Sequence, residues 1–255
     1  MNEVHRAASD GYTQGAQTYA QGRPGFPPES LIWLTRDLQL GAGKLVVELG
    51  AGTGKFTQLL ARTGAEVLAV EPVVAMLGQL AADLPAVNTL RASAQKLPLG
   101  EHTADAVICA QSFHWFASAV TLAEIHRVLK PGGVLGLIWN VRDRNVPWVD
   151  DLSRLVDRHE GDAPRYDQGE WRKVFPATGF APFQEKCVAH AHVGPAEQVI
   201  VGRTASVSFV AAMAEPARRT LLDEVRALIG ATPELTNKPV VSMPYVTQMY
   251  WCRTY

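Results

Sequence analysis

A strand-like run that ends near an acid and then breaks into alternating glycines, Val46-Val47-Glu48-Leu49-Gly50-Ala51-Gly52-Thr53-Gly54, constrains this chain more than any other segment. Glycine lets the backbone turn through positive φ and lets a ligand approach without meeting a Cβ. A helix opening directly after such a turn presents free N–H groups that would favour a carboxylate or a phosphate equally. The segment therefore predicts the first strand–turn–helix unit of a layered α/β fold, with its ligand at the strand's carboxyl end.

The surrounding pattern agrees. Apolar runs at residues 45–49, 67–70, 105–110 and 134–139 alternate with helically spaced segments at 56–62, 73–84 and 119–129. Continuous apolar strands separated by helices predict a parallel sheet covered on both faces. Ahead of the first strand, Pro27-Pro28-Glu29-Ser30 opens a helix carrying Leu31, Ile32, Leu34, Leu38 and Leu40, and Gly41-Ala42-Gly43 closes it. The alternation breaks after Trp139. Residues 140–179 read as an inserted element with helical patches at 148–160 and 170–175, residues 183–192 as a strand, residues 196–229 as two or three helices broken near Glu215-Pro216, and residues 240–253 as one or two closing strands. The expected architecture is one domain, with a core of about 28–140, 180–192 and 239–255 and cap elements of about 1–27, 141–179 and 193–238.

Charge narrows the partners. Lys and Arg number 24 against 25 Asp and Glu, a net charge of -1, so no general attraction draws the chain to nucleic acid or an anionic membrane. No apolar run approaches the ~18 residues that span a bilayer, and the N-terminus lacks a signal-peptide core; a cytoplasmic location is expected. Cys109, Cys187 and Cys252 are far apart, with no CxxC or Cys/His cluster, and read as buried reduced thiols. No metal is expected; His190 and His192 alternate on a strand without a third ligand nearby.

The glycine spacing separates the alternatives only in part. Counting from Gly50, a dinucleotide fingerprint would place its third glycine at the sixth position, where Lys55 stands, and the Gly-Lys-Ser/Thr of a P-loop is missing. Glu71, 17 positions after Gly54, ends the second apolar run, where a carboxylate can reach both hydroxyls of a ribose. Nicotinamide cofactors and other adenosyl ligands share that feature.

Taken with Glu71-Pro72, Ser93-Ala94-Gln95-Lys96-Leu97-Pro98 and Val128-Leu129-Lys130-Pro131-Gly132-Gly133, the glycine segment makes the chain resemble class I S-adenosylmethionine-dependent methyltransferases. Gln111-Ser112-Phe113-His114-Trp115-Phe116, Trp139-Asn140, Tyr19 to Pro24 and Tyr250 to Arg253 resemble the small-molecule "type 11" branch, which includes trans-aconitate methyltransferase-like proteins. The resemblance implies a doubly wound, Rossmann-like, seven-stranded, mostly parallel sheet with its last strand antiparallel and a helical cap. It implies S-adenosylmethionine as cofactor and S-adenosylhomocysteine as product. Glu48 and the turn Gly50, Ala51, Gly52 and Gly54 would hold the methionine moiety, Glu71 the ribose hydroxyls, Pro72 and Met76 the apolar side of the adenine, and Ala94 and Gln95 its edge. Family members often carry Glu or Asp where Gln95 stands, so charge assistance is lost there. Gln111 would sit beside the donor, and Tyr12, Tyr19 and Arg23 would form a lid, with Arg23 facing the methionine carboxylate.

For the acceptor, His114 is the candidate general base, although its aromatic neighbours also read as a packing plug. Trp115 and Trp148 would shape the acceptor pocket, and Asn140 would orient the acceptor or cap its strand. Trp148, Tyr166, Trp171 and Phe175 suggest a small, partly apolar acceptor methylated at a carboxylate or hydroxyl oxygen or an acidic carbon. An NAD-linked oxidoreductase and a non-catalytic S-adenosylmethionine-binding module remain alternatives.

Overall fold

The computed structural model describes residues 23–255. Seven strands form one sheet in the order β3-β2-β1-β4-β5-β7-β6: β1 Leu45–Leu49, β2 Glu66–Val70, β3 Asn88–Leu90, β4 Ala104–Ala110, β5 Leu129–Arg142, β6 Gln184–Gly194 and β7 Val241–Arg253. The first five run parallel, whereas β7 pairs antiparallel with both β5 and β6. The expected seven-stranded, mostly parallel sheet is thus present, and the strand order reverses direction at β1 and β4, placing a crevice at their carboxyl ends.

Helices cover both faces. On one, the segment α1 Pro28–Ile32 runs on as a wider π-type turn, Trp33–Asp37, and drives Trp33 and Leu34 against Ile108, Val134 and Met249. Gly136 makes this contact possible, because a Cβ there would lie 2.7 Å from Ile108 Cδ1 and 3.1 Å from Trp33. The same side carries α2 Thr57–Ala61, with Leu60 in that core. The helix α3 Val74–Asp83 buries Met76 and Leu80, and α4 Ala119–Val128, capped by Ser118 accepting from the Thr121 N–H, buries Leu122 and Ile125 on the opposite face. The cap has a separate core in which α5 Pro147–Asp157, the helical run Glu197–Gly202 and α6 Glu215–Ala231 enclose Trp148, Val149, Ile200 and Val225 against Met243 and Tyr245 of β7.

Two expectations need correction. Tyr166, Trp171 and Phe175 pack inward: Tyr166 and Trp171 lie against Trp139, Trp171 also against Tyr250, whose hydroxyl hydrogen-bonds that of Tyr166, and Phe175 packs on Phe113 and Phe183, fastening the inserted segment to the sheet. Cys109 and Cys252 are buried as expected, but Cys187 lies on the edge strand β6 and is exposed. Among the described residues no helix is long and apolar enough to cross a membrane.

At the amino ends of the strands, Asp105 accepts hydrogen bonds from the Leu45 N–H, Lys44 Nζ and Lys130 Nζ at 3.0, 3.0 and 2.8 Å. Burial pushes its carboxyl up, but the three donors outweigh it and hold the pKa at about 2. A carboxylate with a depressed folded-state pKa contributes stability that is present above its unfolded value and lost as pH falls toward the folded one. Asp105→Asn is therefore expected to cost about 2 kcal/mol at pH 7, a difference that shrinks below pH 4 in urea melts.

Candidate functional site

Glu48 lies one residue before the end of β1, almost wholly buried, and its Oε2 accepts from Thr57 Oγ1 at 2.6 Å. Burial raises its pKa to about 8, against the Thr57 hydrogen bond and with a smaller contribution from Glu71. The glycine turn then folds over it, with Gly50, Gly52 and Gly54 at φ of 69°, 59° and 86°. Gly50 has no substitute here, since a Cβ would meet the Ser112 Cβ at 2.7 Å. Ser112 is fixed by its hydroxyl donating to the Leu49 carbonyl at 2.7 Å.

Glu71, at the end of β2, reaches back across the turn. Its Oε2 accepts from the Gly52 N–H and its Oε1 from the Val73 N–H, both at 2.9 Å. Burial raises its pKa against these two donors. Each carboxylate oxygen keeps a lone pair for a further donor. Nearby, Met76 is buried, and its sulfur lies against Gly52. Pro72 is half-buried, and Ala94 and Gln95 occupy the turn bridged by Ser93 and Lys96, with Ala94 buried in the core and Gln95 half-buried.

Above Glu48 the chain encloses a pocket lined by Gly50, Ala51, Gly52, Gln111 and Asn140, as the sequence suggested, and also by Phe26, Lys55, Arg203 and Tyr245. Arg23 closes one side, its Nη2 donating to the Ser206 carbonyl at 3.3 Å. Lys55 donates to the backbone carbonyl of Arg23, and burial followed by the charges of Arg23 and Arg203 lowers its pKa to about 8. The pocket so presents one acid on its floor and a cationic rim opposite. That layout suits a zwitterion, whose ammonium faces the acid and whose carboxylate faces the rim. Tyr12 and Tyr19 lie outside the described residues.

Gln111 takes φ of 58°, a left-handed conformation uncommon for a residue with a side chain, and its Nε2 donates to the Asn140 carbonyl at 3.4 Å. Asn140 donates to the Gly25 carbonyl at 2.8 Å and accepts from Thr247 Oγ1 at 2.6 Å. Its side chain is thereby engaged in clamping the segment around Gly25 to the sheet, and since β5 runs two residues further, to Arg142, Asn140 caps no strand end.

The acceptor-side expectations change most. His114 Nδ1 accepts from the Trp139 indole N–H at 3.2 Å, which leaves the proton of the neutral ring on Nε2. Burial, then the charges of Arg165 and Arg23, lower its pKa to about 3. A base working near neutral pH needs a free lone pair and a conjugate acid stable in that range. His114 has neither in this arrangement, so the general-base role gives way to that of a neutral Nε2–H donor. Trp148 belongs to the cap core, not to the pocket wall, and the half-buried Trp115 packs against that core while its ring lies 5.3 Å from His114. Lys55, Arg203 and Tyr245 were missed. For Lys55 a signal existed in its place directly after Gly54; Arg203 and Tyr245 come from distant elements that only the fold brings in. No group of His, Cys, Asp or Glu among the described residues could hold a metal ion.

A parallel sheet switching direction at a glycine turn, with an acid at the end of each of its first two strands, is the arrangement that class I methyltransferases use for S-adenosylmethionine, and the comparisons agree. A methyltransferase-domain family model matches residues 47–137. The chain belongs to the class I S-adenosylmethionine-dependent methyltransferase family. It is 36% identical to an uncharacterized methyltransferase of Mycobacterium tuberculosis over 97% of each chain, and 33% identical to an uncharacterized methyltransferase-like protein of Schizosaccharomyces pombe over 91% of each. The fold is similar to that of an Anaeromyxobacter dehalogenans protein designated a type II methyltransferase, with a TM-score of 0.64 and 24% identity over 91% of this chain and 96% of that one. A Haemonchus contortus N-methyltransferase solved with S-adenosylhomocysteine shares the fold at a TM-score of 0.56 and 13% identity, over 100% of this chain and 60% of that one.

Proposed function

We propose that this methyltransferase moves the methyl group of S-adenosylmethionine onto an oxygen of a small-molecule acceptor, a carboxylate ahead of a hydroxyl. The observation that carries the donor half is the zwitterion-shaped charge layout around Glu48, with Glu71 beside it at the end of the next strand. In this reading Glu48 meets the donor's ammonium, Arg23 its carboxylate, and the open lone pairs of Glu71 its ribose hydroxyls. Bound there, the cofactor supplies an electrophilic methyl group on a sulfonium. The chain's own part is to hold both ligands in line and exclude water, which can supply much of a rate enhancement by itself. The state of His114 supports a carboxylate acceptor: an alcohol or an acidic carbon must lose a proton to a base, whereas an ionised carboxylate needs none.

Thermal melts with S-adenosylmethionine, S-adenosylhomocysteine and NAD test the donor. A ligand that binds only the native state at a hundredfold excess over Kd adds about 2.7 kcal/mol. The first two are expected to raise Tm by several degrees and NAD to leave it unchanged. A shift with NAD alone would overturn the reading in favour of hydride-transfer chemistry.

A further inference from the structure

Beyond Asn140 on β5 stands a cation that no acid among the described residues pairs with directly. Arg142 is the last residue of β5, two positions after Asn140 and therefore on the same face of the strand. Its cross-strand partner on β7 is Tyr245, which in turn faces His190 of β6. Arg142 is only partly exposed, and its guanidinium makes no ion pair and no hydrogen bond among the described residues, Asp157 and Asp167 acting on it only at longer range. Burial lowers its pKa, opposed by Tyr245 and reinforced by Arg165, but a guanidinium stays protonated at any working pH.

The nearby acids are already engaged. Asp157 lies 2.8 Å from Arg144 and 3.8 Å from Arg165, and Asp167 lies 3.7 Å from Arg165. Tyr245 repeats the pattern: the residue is 1% exposed and its hydroxyl is buried without a hydrogen-bond partner among the described residues, yet it lines the pocket. A buried hydroxyl left without a partner and a cation left without a counter-ion are both costly. Side by side at one strand pair, they have the complementarity of an anion site. Three strand spacings, about 14 Å, separate the backbone of β5's partner β7 from β1, and Arg142, unlike Tyr245, is not among the residues lining the pocket over Glu48, so an anion held by Arg142 would belong to a second ligand and not to the amino-acid end of the donor.

We propose that Arg142 and the Tyr245 hydroxyl form the anion-holding half of the acceptor site, so that the acceptor enters as a small molecule bearing a carboxylate or a phosphate. This assignment rests on the methyl-transfer reading above.

Calorimetric titration of the wild type with S-adenosylhomocysteine comes first, because failure to bind would remove the underlying reading whatever the anion does. Malonate, inorganic phosphate and neutral malonamide are then titrated into the protein with and without S-adenosylhomocysteine. Malonate or phosphate is expected to bind and malonamide not, with at least a tenfold loss in Arg142→Gln, a loss of several-fold in Tyr245→Phe, and S-adenosylhomocysteine affinity within twofold of wild type in Arg142→Gln, whose position lies outside the lining of the pocket over Glu48. Malonate binding ahead of phosphate would identify a carboxylate acceptor, and the reverse order a phosphate ester. Equal binding of malonamide, no binding of either anion, or an unchanged anion affinity in a folded Arg142→Gln variant would overturn the proposal.

Discussion

Replacing Glu71 with alanine is expected to weaken S-adenosylhomocysteine binding by at least a hundredfold and to lower Tm by roughly 5 °C. Two separate losses combine. The first is internal: the N–H groups of Gly52 and Val73 both donate to this carboxylate, and a buried donor left without its partner costs about 1–3 kcal/mol. The second falls on the ligand, because two ribose hydroxyls lose a charged acceptor, each such bond being worth about 1.5–3 kcal/mol. Every 1.4 kcal/mol is a factor of about ten in affinity, so the two bonds alone account for the predicted loss. Glu71→Gln separates the contributions. Its single amide oxygen can accept from Gly52 or Val73 but not from both, so Tm should fall by less than in the alanine variant while affinity drops by an intermediate factor. Calorimetry on the three proteins, with melts run in parallel, decides the matter; an alanine variant that binds as tightly as wild type would remove Glu71 from the donor site.

The parts of this molecule written in local sequence were legible before any coordinates. Glu48, the glycine turn and Glu71 belong to two short strand–turn segments, and their roles depend on neighbours within a few residues. The strands β1, β2, β4 and β5 announced themselves by continuous apolar runs because both of their faces are covered. The strand β3 did not. It has three residues, Asn88, Thr89 and Leu90, none of them fully buried, and at the sheet's edge it carries no periodicity to read. The acceptor side failed for a different reason. An aromatic residue is equally suited to lining a ligand pocket or filling a core, and Trp148, Tyr166 and Trp171 turned out to do the second. Asn140 was read as ending its strand, whereas β5 runs on to Arg142, and its use as a clamp depends on Gly25 and Thr247, 115 and 107 positions away. Arg142 and Tyr245 form a pair only through the antiparallel register of β5 and β7, which nothing in either segment specifies alone.

Glu48 should make this protein's stability and its cofactor affinity depend on pH in opposite directions. In the ligand-free protein its carboxyl is raised to about 8 by burial, so between roughly pH 4.5 and 8 the native state holds a proton that the unfolded chain has released. The native state is then the better proton binder, and stability falls as pH rises through that window. Glu48→Gln cannot titrate and should escape the fall; its stability advantage over wild type should grow from near zero at pH 4.5 to a few kcal/mol at pH 8. Binding reverses the preference, because an ammonium placed against Glu48 stabilises the ionised form. S-adenosylhomocysteine should therefore release close to one proton per site between pH 6 and 7, and its affinity should rise nearly tenfold per pH unit there. Both signals come from calorimetry in buffers of different ionisation enthalpy. Wild-type and Glu48→Gln stability curves that stay parallel from pH 5 to 8 would show that the buried carboxyl is not protonated in the free protein. Proton release persisting undiminished in Glu48→Gln would show that the linked group lies elsewhere, with Glu71, whose pKa burial also raises, as the next carboxyl to replace.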